Sequence, residues 1–578
     1  MQTNGIFNWC GSESYVSPRH SAIKIENIHN SLSGLQPDWF RDCAFYHIWI
    51  KGFCDSNGDG VGDLPGIVSR LDYIKERLGC DAIWLSPVFD CGGKGAAADS
   101  NMHGYDTVDY YSVNPLFGTD EQLDTLLSEA HKRNIKVIFD FVPNHTAVTH
   151  PWFVDSARGL NGKSDWYVWN NEPLDGWVPM GANPHTWFSP EKTADVLLNE
   201  PMYETQRKSL SALKSGVNCK RYYYGAFGPV MPDLNYRNAE VREEMKNVVR
   251  YWLNRGFDGI RVDAVRYLVE ETGADGAFGA DTIDTAETHR FFAELRRDVI
   301  DAYAQLGYPK CMVAEANMHG DRTLLESYFG TPEAPEFSML FDFDFAAAVY
   351  QMATGFDSFA PAAGFMKETG RKRLPALSVK ACFLSNHDNP ADRPASVYAE
   401  PNRLKLATAI SLLLPAVPFI YYGNEIALEN ASGYTGMHDI RFRNAFDFAE
   451  AERQCSVPDS LLALHRSLLA LRREHPALRR GDLVPLYSPY RAITAYYVTF
   501  EKDAAVCVFN NGTEPLEALP LHPANGTVPN FRFACAYSSE PSVSRTLDVR
   551  QSENARPYAV LSGLPAAAFA VFVPITNC

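Results

Sequence analysis

At 578 residues the chain exceeds what one hydrophobic core sustains, so two or three domains are expected. A hydrophobic content of 46% with 12% aromatics excludes a disordered or fibrous protein, and a formal charge of −17 argues against nucleic acid or an anionic membrane as partner, since both would repel it. Twelve cysteines, scattered without a C-x-x-C pair, read as buried thiols in a reducing compartment rather than a disulfide framework.

Residues 1–40 form an N-terminal extension without a usable pattern. Its start, MQTNGIFNWCGSESYV, lacks a basic region followed by an apolar run, so no secretion signal is visible and a cytoplasmic location is expected, although a trimmed secreted chain would look the same. From Phe45 onward, short apolar runs alternate with amphipathic helical patterns. The runs are FYHIWIKGF (45–53), DAIWLSPVF (81–89), IKVIFDFV (135–142), GIRVDAV (259–265), CMVAEAN (311–317), FSMLFDF (337–343), ACFLSNHD (381–388) and VPFIYYG (417–423). Helices are predicted over 120–134 and 239–256, the second ending at Gly256. Apolar strands interleaved with helices indicate a parallel sheet covered on both faces, and eight such units indicate a (β/α)8 TIM barrel of class α/β. The apolar stretch Leu406–Tyr422 is shorter than the roughly 20 residues of a membrane span and contains Pro415 and Pro418, so it reads as a buried helix followed by a buried strand.

The barrel is interrupted after its third strand. Residues 143–230 are rich in Trp, Tyr, Asn, Pro and Gly without sustained periodicity, too long for an ordinary loop, and read as an inserted subdomain. Residues 41–142 and 231–478 are then the two parts of the barrel. Residues 479–578 carry short alternating runs such as AITAYYVTF, which indicate a C-terminal antiparallel β-sandwich.

In such a barrel, residues at the C-terminal strand ends converge on one site. Strand three ends in Asp140, Asn144 and His145, strand four in Arg261 and Asp263, strand five in Glu315, and strand seven in His387 and Asp388. Ionisable groups at the same end of successive apolar strands are costly unless they act together. Glycoside hydrolysis uses such a set: one carboxylate attacks the anomeric carbon, and another protonates the leaving oxygen and later activates water. Arg261 and Asp263, two residues apart on one strand, point to one face, and the guanidinium is expected to lower the carboxyl pKa. Taken alone, that pair would be read as a structural ion pair. Glu315, in VAEAN without an adjacent cation, is expected to have a raised pKa, as a general acid requires.

The segments DFVPNH (140–145), GIRVDAVRYL (259–268), AEAN (314–317) and FLSNHD (383–388), with MPDLN (231–235), resemble in order the motifs of the α-amylase superfamily, among members intermediate between α-amylases and oligo-1,6-glucosidase or α-glucosidase-like enzymes. The resemblance implies Asp263 as nucleophile, Glu315 as acid/base and Asp388 as a third carboxylate on the sugar hydroxyls. His145 and His387 would hydrogen-bond the same ring, and Arg261 would position the nucleophile. HGYDTVDYY (103–111) resembles a family motif that assigns Tyr105 to sugar stacking and Asp106 to its hydroxyls. Asp106 would pair with Arg443 in IRFRNAFDF, with Arg441 as competitor.

Asp55, Asn57, Asp59, Val61 and Asp63 place oxygen donors at every second position, as hard cations prefer, but position twelve, where an EF-hand has Glu, is Gly66. The loop resembles the calcium loop after the first strand of oligo-1,6-glucosidase-like members, which implies structural Ca2+ with Val61 contributing its carbonyl. A run of Asx turns without metal is the plainer reading. The expected partner is an α-glucan or maltooligosaccharide, acted on by a monomer or small homo-oligomer. The alternatives are a maltose–trehalose isomerase or α-glucosyl transferase, which DAVRYLVEETG and Glu287-Thr288-His289 partly resemble, and a non-catalytic binding or scaffold relative, which would have lost catalytic carboxylates.

Overall fold

The computed structural model describes residues 23–25, 32, 34–91, 103–177, 185–199, 204–216, 221–272, 277–279, 281–354, 375, 377–388, 392–432, 441–525, 532–551 and 557–575. Most of the 1–40 extension lies outside them. Each of the eight apolar runs contributes one strand: β1 (Phe45–Ile48), β2 (Ala82–Leu85), β3 (Lys136–Phe141), β4 (Gly259–Val262), β5 (Cys311–Ala314), β6 (Met339–Phe341), β7 (Val379–Cys382) and β8 (Val417–Tyr421). They pair in parallel in chain order, and β8 returns to β1 with Phe45 opposite Phe419, closing the barrel. β7 begins before its expected run and ends at Cys382, so His387 and Asp388 stand on the loop beyond the sheet.

Strand side chains alternate between two environments, as the pleat requires. Phe45, Trp84, Phe341 and Phe419 face the axis, with Phe45 stacked on Phe419 at 4.5 Å and Phe341 edge-on to Phe419 at 4.9 Å. Their neighbours, such as Ile83, Phe139 and Ile260, belong to the larger core beneath the helices. On β4 the axial positions are Gly259 and Arg261, with Asp263 next beyond the strand. A Cβ at Gly259 would lie 2.5 Å from the Cys311 carbonyl oxygen, so glycine permits the close approach of β4 and β5.

Around the barrel run α1 (Leu64–Ser69), α2 (Asp120–Lys132), α3 (Ala239–Arg255) and α4 (Pro401–Leu413), among others. Thr119 and Gln122 form a capping box at α2, and Asn238 caps α3, which stops at Gly256. The stretch Leu406–Tyr422 falls on α4 and β8, and among the described residues no helix is long and apolar enough to cross a membrane.

Between β3 and β4 the chain folds into helices Pro151–Arg158, Pro190–Leu197 and Glu204–Gly216 and a three-stranded sheet of Trp169–Asn170, Tyr222–Tyr224 and Trp187–Phe188. Strands of two or three residues are too short to show a repeat, which is why this region has no readable periodicity. Bridges between His145 and Asp233 and between Tyr167 and Leu234 tie its two ends together.

The C-terminal strands are β9 (Asp482–Tyr487), β10 (Ile493–Phe500), β11 (Asp503–Asn510), β12 (Leu516–Pro523), β13 (Phe533–Ser538), β14 (Thr546–Gln551), β15 (Pro557–Leu564) and β16 (Ala568–Pro574). All pair antiparallel, and their hydrogen bonding closes on itself around an apolar core, which leaves no open edge in this sheet.

Candidate active site

Arg261, 2% exposed, is the hub of the C-terminal barrel end. Its Nη1 donates to Asp140 Oδ1 at 2.6 Å and to Asp263 Oδ1 at 2.7 Å, and its Nη2 lies 2.9 Å from Glu315 Oε2. One cation thus serves three carboxyl groups, one on β3 and two just beyond the ends of β4 and β5. The Glu315 oxygen also accepts the Ala264 backbone N–H at 3.0 Å. Ala264 reaches that position by adopting a left-handed conformation, φ 49°, just after the nucleophile position.

Two expectations need correction. Glu315 has a cation beside it, because barrel closure brings Arg261 across from the neighbouring strand. And Arg261 does not lower the Asp263 pKa below its ordinary range. Burial outweighs it and pushes Asp263 up to about 6, while Asp140, also raised by burial, stands at about 6. Burial pushes Glu315 further, to about 7, and a hydrogen bond to Asp263 reinforces this. Three carboxylates against one guanidinium would leave a net negative charge in a low-dielectric site, so the group retains a proton and Glu315 holds it most tightly.

Asp263, Ala264, Glu315 and Asp388 border a cavity of about 320 Å³ together with His145, His387 and Arg443. Asp388 is exposed on its loop and is thus a more hydrated acid than the other two. His145 Nε2 bonds the Tyr105 carbonyl at 3.1 Å, and burial holds this imidazole neutral, with a pKa of about 3. His387 is held neutral too, by burial first and then by nearby cations. Its Nε2 lies 2.5 Å from the Tyr105 hydroxyl, which donates to Asp140 Oδ2 at 2.9 Å. The Tyr105 ring reaches the cavity but is already stacked near His387, at 5.4 Å and 10°. Asp106, half-buried beside it, is not part of the cavity wall. Arg443 lies over the Trp49 ring at 4.5 Å and donates from Nε to the His387 carbonyl at 2.9 Å, whereas its competitor Arg441 bonds the exposed Asp392.

Sequence reasoning gave no role to Asp140, although it stands on β3 in DFVPNH, nor to His103, Phe227, Met231, Tyr267 and Asn317, which complete the cavity wall. Phe227 comes from the inserted region and meets Tyr267 edge-on at 5.2 Å and His145 at 5.2 Å. Tyr267, Met231 and Asn317 lie inside or beside motifs already singled out, but nothing in the linear order tells which of their side chains turns inward.

The loop after β1 is built differently. Asp55 accepts N–H bonds from Asn57, Gly58 and Gly60, Asn57 from Asp59, and Asp59 from Val61. Asp63 caps α1 through Gly66 N–H at 2.6 Å and bonds Ser56. Among the described residues no group of three or more His, Cys, Asp or Glu side chains converges so as to hold a metal. The alternating oxygen donors fit a hard cation in chemistry, with lone pairs remaining on each carboxylate.

A family described as alpha amylase, catalytic domain, matches residues 47–439. The chain is 29% identical to "Alpha-amylase 3" of Dictyoglomus thermophilum over 503 residues, 83% of this chain and 86% of that protein. It is 30% identical to "Trehalose synthase/amylase TreS" of Mycobacterium tuberculosis over 539 residues, 82% of each. Among solved structures, the alpha-amylase from H. orenii superposes with a TM-score of 0.68 at 26% identity, covering 92% of this chain and 99% of that one.

Proposed function

Because the chain belongs to the alpha-amylase catalytic-domain family and is a glycoside hydrolase of that family, we propose that it cleaves α-1,4-glucosidic bonds in starch-derived maltooligosaccharides with retention of configuration. The observation that carries this reading is the sharing of Arg261 by Asp263 and Glu315 at a sugar-sized cavity, with Glu315 the more proton-retentive of the two.

In the first step the ionised Asp263 attacks the anomeric carbon, the bond to the leaving oxygen breaks, and the Glu315 proton passes to that oxygen. Glu315, now a carboxylate, takes a proton from water. The resulting hydroxide attacks the same carbon and releases Asp263, so two inversions give net retention. Arg261 orients both carboxyls and stabilises Asp263 as it regains its charge. Asp388, with the neutral His145 and His387, would bind sugar hydroxyls, Tyr105 would present its ring to the sugar, and Arg443 would brace the His387 loop.

A second reading, isomerisation of maltose to trehalose, is favoured by the 30% identity to a protein named trehalose synthase/amylase. A non-catalytic role is disfavoured by the presence of all three carboxylates at the cavity. The deciding experiment is product analysis on maltose, maltoheptaose, isomaltose and trehalose, with the first anomer read by proton NMR. α-Configured glucose and short maltooligosaccharides are expected. β-Glucose as first product would overturn the mechanism, and trehalose as main product from maltose would establish the isomerase reading.

We also propose structural Ca2+ at Asp55, Asn57, Asp59, the Val61 carbonyl and Asp63, supported by their donor chemistry. A cytoplasmic location is proposed as well, supported by nine described cysteines that are all free thiols.

A further inference from the structure

Beneath the catalytic groups, on the axial face of β1, His47 is 1% exposed, yet no described residue offers either ring nitrogen a hydrogen-bond partner. Its ring lies flat on Trp84, with centroids 3.5 Å apart and planes at 14°. On another side it meets His387 nearly at right angles, at 5.0 Å and 84°. The Nδ1 of His387 is buried and has no partner among the described residues either. Two facing imidazoles thus leave three buried nitrogens unsatisfied, which buried polar groups rarely tolerate without a bridging water.

The direction of the neighbouring bonds fixes what His387 needs. The Tyr105 hydroxyl has one proton, and it goes to Asp140 Oδ2. The hydroxyl oxygen therefore accepts from His387 Nε2, which must carry the imidazole proton. That leaves Nδ1 as an acceptor with His47 beside it. Burial, with the guanidiniums of Arg261, Arg443 and Arg393 around it, keeps His47 neutral with one N–H to give. Trp84, on which His47 lies, donates from its indole to the same Asp140 oxygen at 3.2 Å, so both arms of the arrangement end at the partner of Arg261.

We propose that His47 is a positioning residue that donates a ring N–H, through one ordered water, to Nδ1 of His387, holding the His387 proton on Nε2 and so keeping the Tyr105 proton on Asp140. The proposal rests on the catalytic reading of this site. Were His387 to carry its proton on Nδ1, Nε2 would compete with Asp140 for the Tyr105 hydroxyl, and Arg261 would be drawn toward Asp140 and away from Asp263 and Glu315.

The test compares His47→Phe, which keeps a flat ring on Trp84 but has no donor, with His47→Gln, which restores one. The Phe variant should hold or raise the thermal midpoint, lower kcat on maltose about tenfold and change KM much less, and the Gln variant should recover kcat to within about threefold. A Phe variant with wild-type kcat overturns the proposal, as does a Gln variant no better than Phe. Wild-type protein labelled with 15N-histidine supplies a readout independent of variant folding and of any substrate, with the His387 signal assigned by its loss in His387→Gln. A single neutral tautomer protonated at Nε2, with a hydrogen-bonded Nδ1, supports the proposal. Mixed tautomers or an unbonded Nδ1 overturn it even if the enzyme hydrolyses maltose normally, whereas failure of the wild type to act on any glucoside overturns only the functional reading.

Discussion

Two carboxylate clusters in this chain handle their charge in opposite ways. In the loop from Asp55 to Asp63, backbone N–H groups converge on the exposed Asp55 and Asp59, and Asp55 is held below its usual pKa by the amides of Gly60 and Gly58. Around Arg261, three acids lie in the barrel interior, and burial raises all of them despite the guanidinium they share. The difference teaches that proximity of a cation does not by itself set a carboxyl's acidity. Exposed acids with amide donors stay ionised cheaply and suit holding a cation, while crowded buried acids store a proton and suit transferring one.

The contrast can be broken most severely at the buried centre. Asp263→Asn should lower kcat/KM by about 10⁴-fold or more with the fold intact by thermal melting, and retention of more than about a hundredth of wild-type activity would remove Asp263 from its role. Glu315→Gln should cost nearly as much on maltose but far less on an aryl glucoside with a good leaving group, with azide restoring the second step. Equal losses on both substrates, without an azide effect, would count against it.

The pH dependence follows from the same burial. Activity should rise as the pair loses its first proton near pH 6 and fall as Glu315 loses its own near pH 7, giving a narrow bell for kcat/KM. Stability has its own sign. A carboxyl whose folded pKa lies above its unfolded value favours folding least when ionised, so the cost grows as pH rises from about 4.5 to about 7 and then levels off. Glu315→Gln should therefore raise the thermal midpoint at pH 8 and hardly alter it at pH 4. An equal shift at both would place the cause elsewhere.

Smaller effects are expected at the exposed cluster and beside the nucleophile. Calcium should raise the midpoint by a few degrees and chelation should reverse it, with Asp59→Ala blunting the response. No shift under exhaustive chelation, with no metal by elemental analysis, would leave the loop as Asx turns. Ala264→Val should move the ratio of maltose to isomaltose cleavage toward isomaltose by roughly 1–3 kcal/mol, because a β-branched side chain narrows the cavity wall. At φ 49° that side chain is also strained, so the total rate should fall along with the ratio. An unchanged ratio would take Ala264 out of linkage choice.

What the linear order disclosed was periodicity and end position. β1 to β8 all lie within or at the edge of apolar runs, and Asp263 and Glu315 follow from where β4 and β5 stop. What it hid arises only on closure. Arg261 reaches Glu315 from a different strand, a contact separated by 54 positions that no local pattern records. Phe227 enters the cavity from a region whose two-residue strands leave no repeat to read. His47 looked like one more residue of FYHIWIKGF, since an apolar run does not reveal which of its members lacks a partner.

The alternation along β4 has a further consequence. Gly259, Arg261 and Asp263 occupy one column on the axial side, so packing against β5, the shared cation and the attacking group obey a single reading frame. A one-residue slip of β4 against its neighbours would turn all three outward together and bring Ile260 and Val262 onto the axis. Such a lesion has no graded form. A change of length within the four residues Gly259–Val262 would split that column, whereas the connection between β3 and β4 already carries the inserted region.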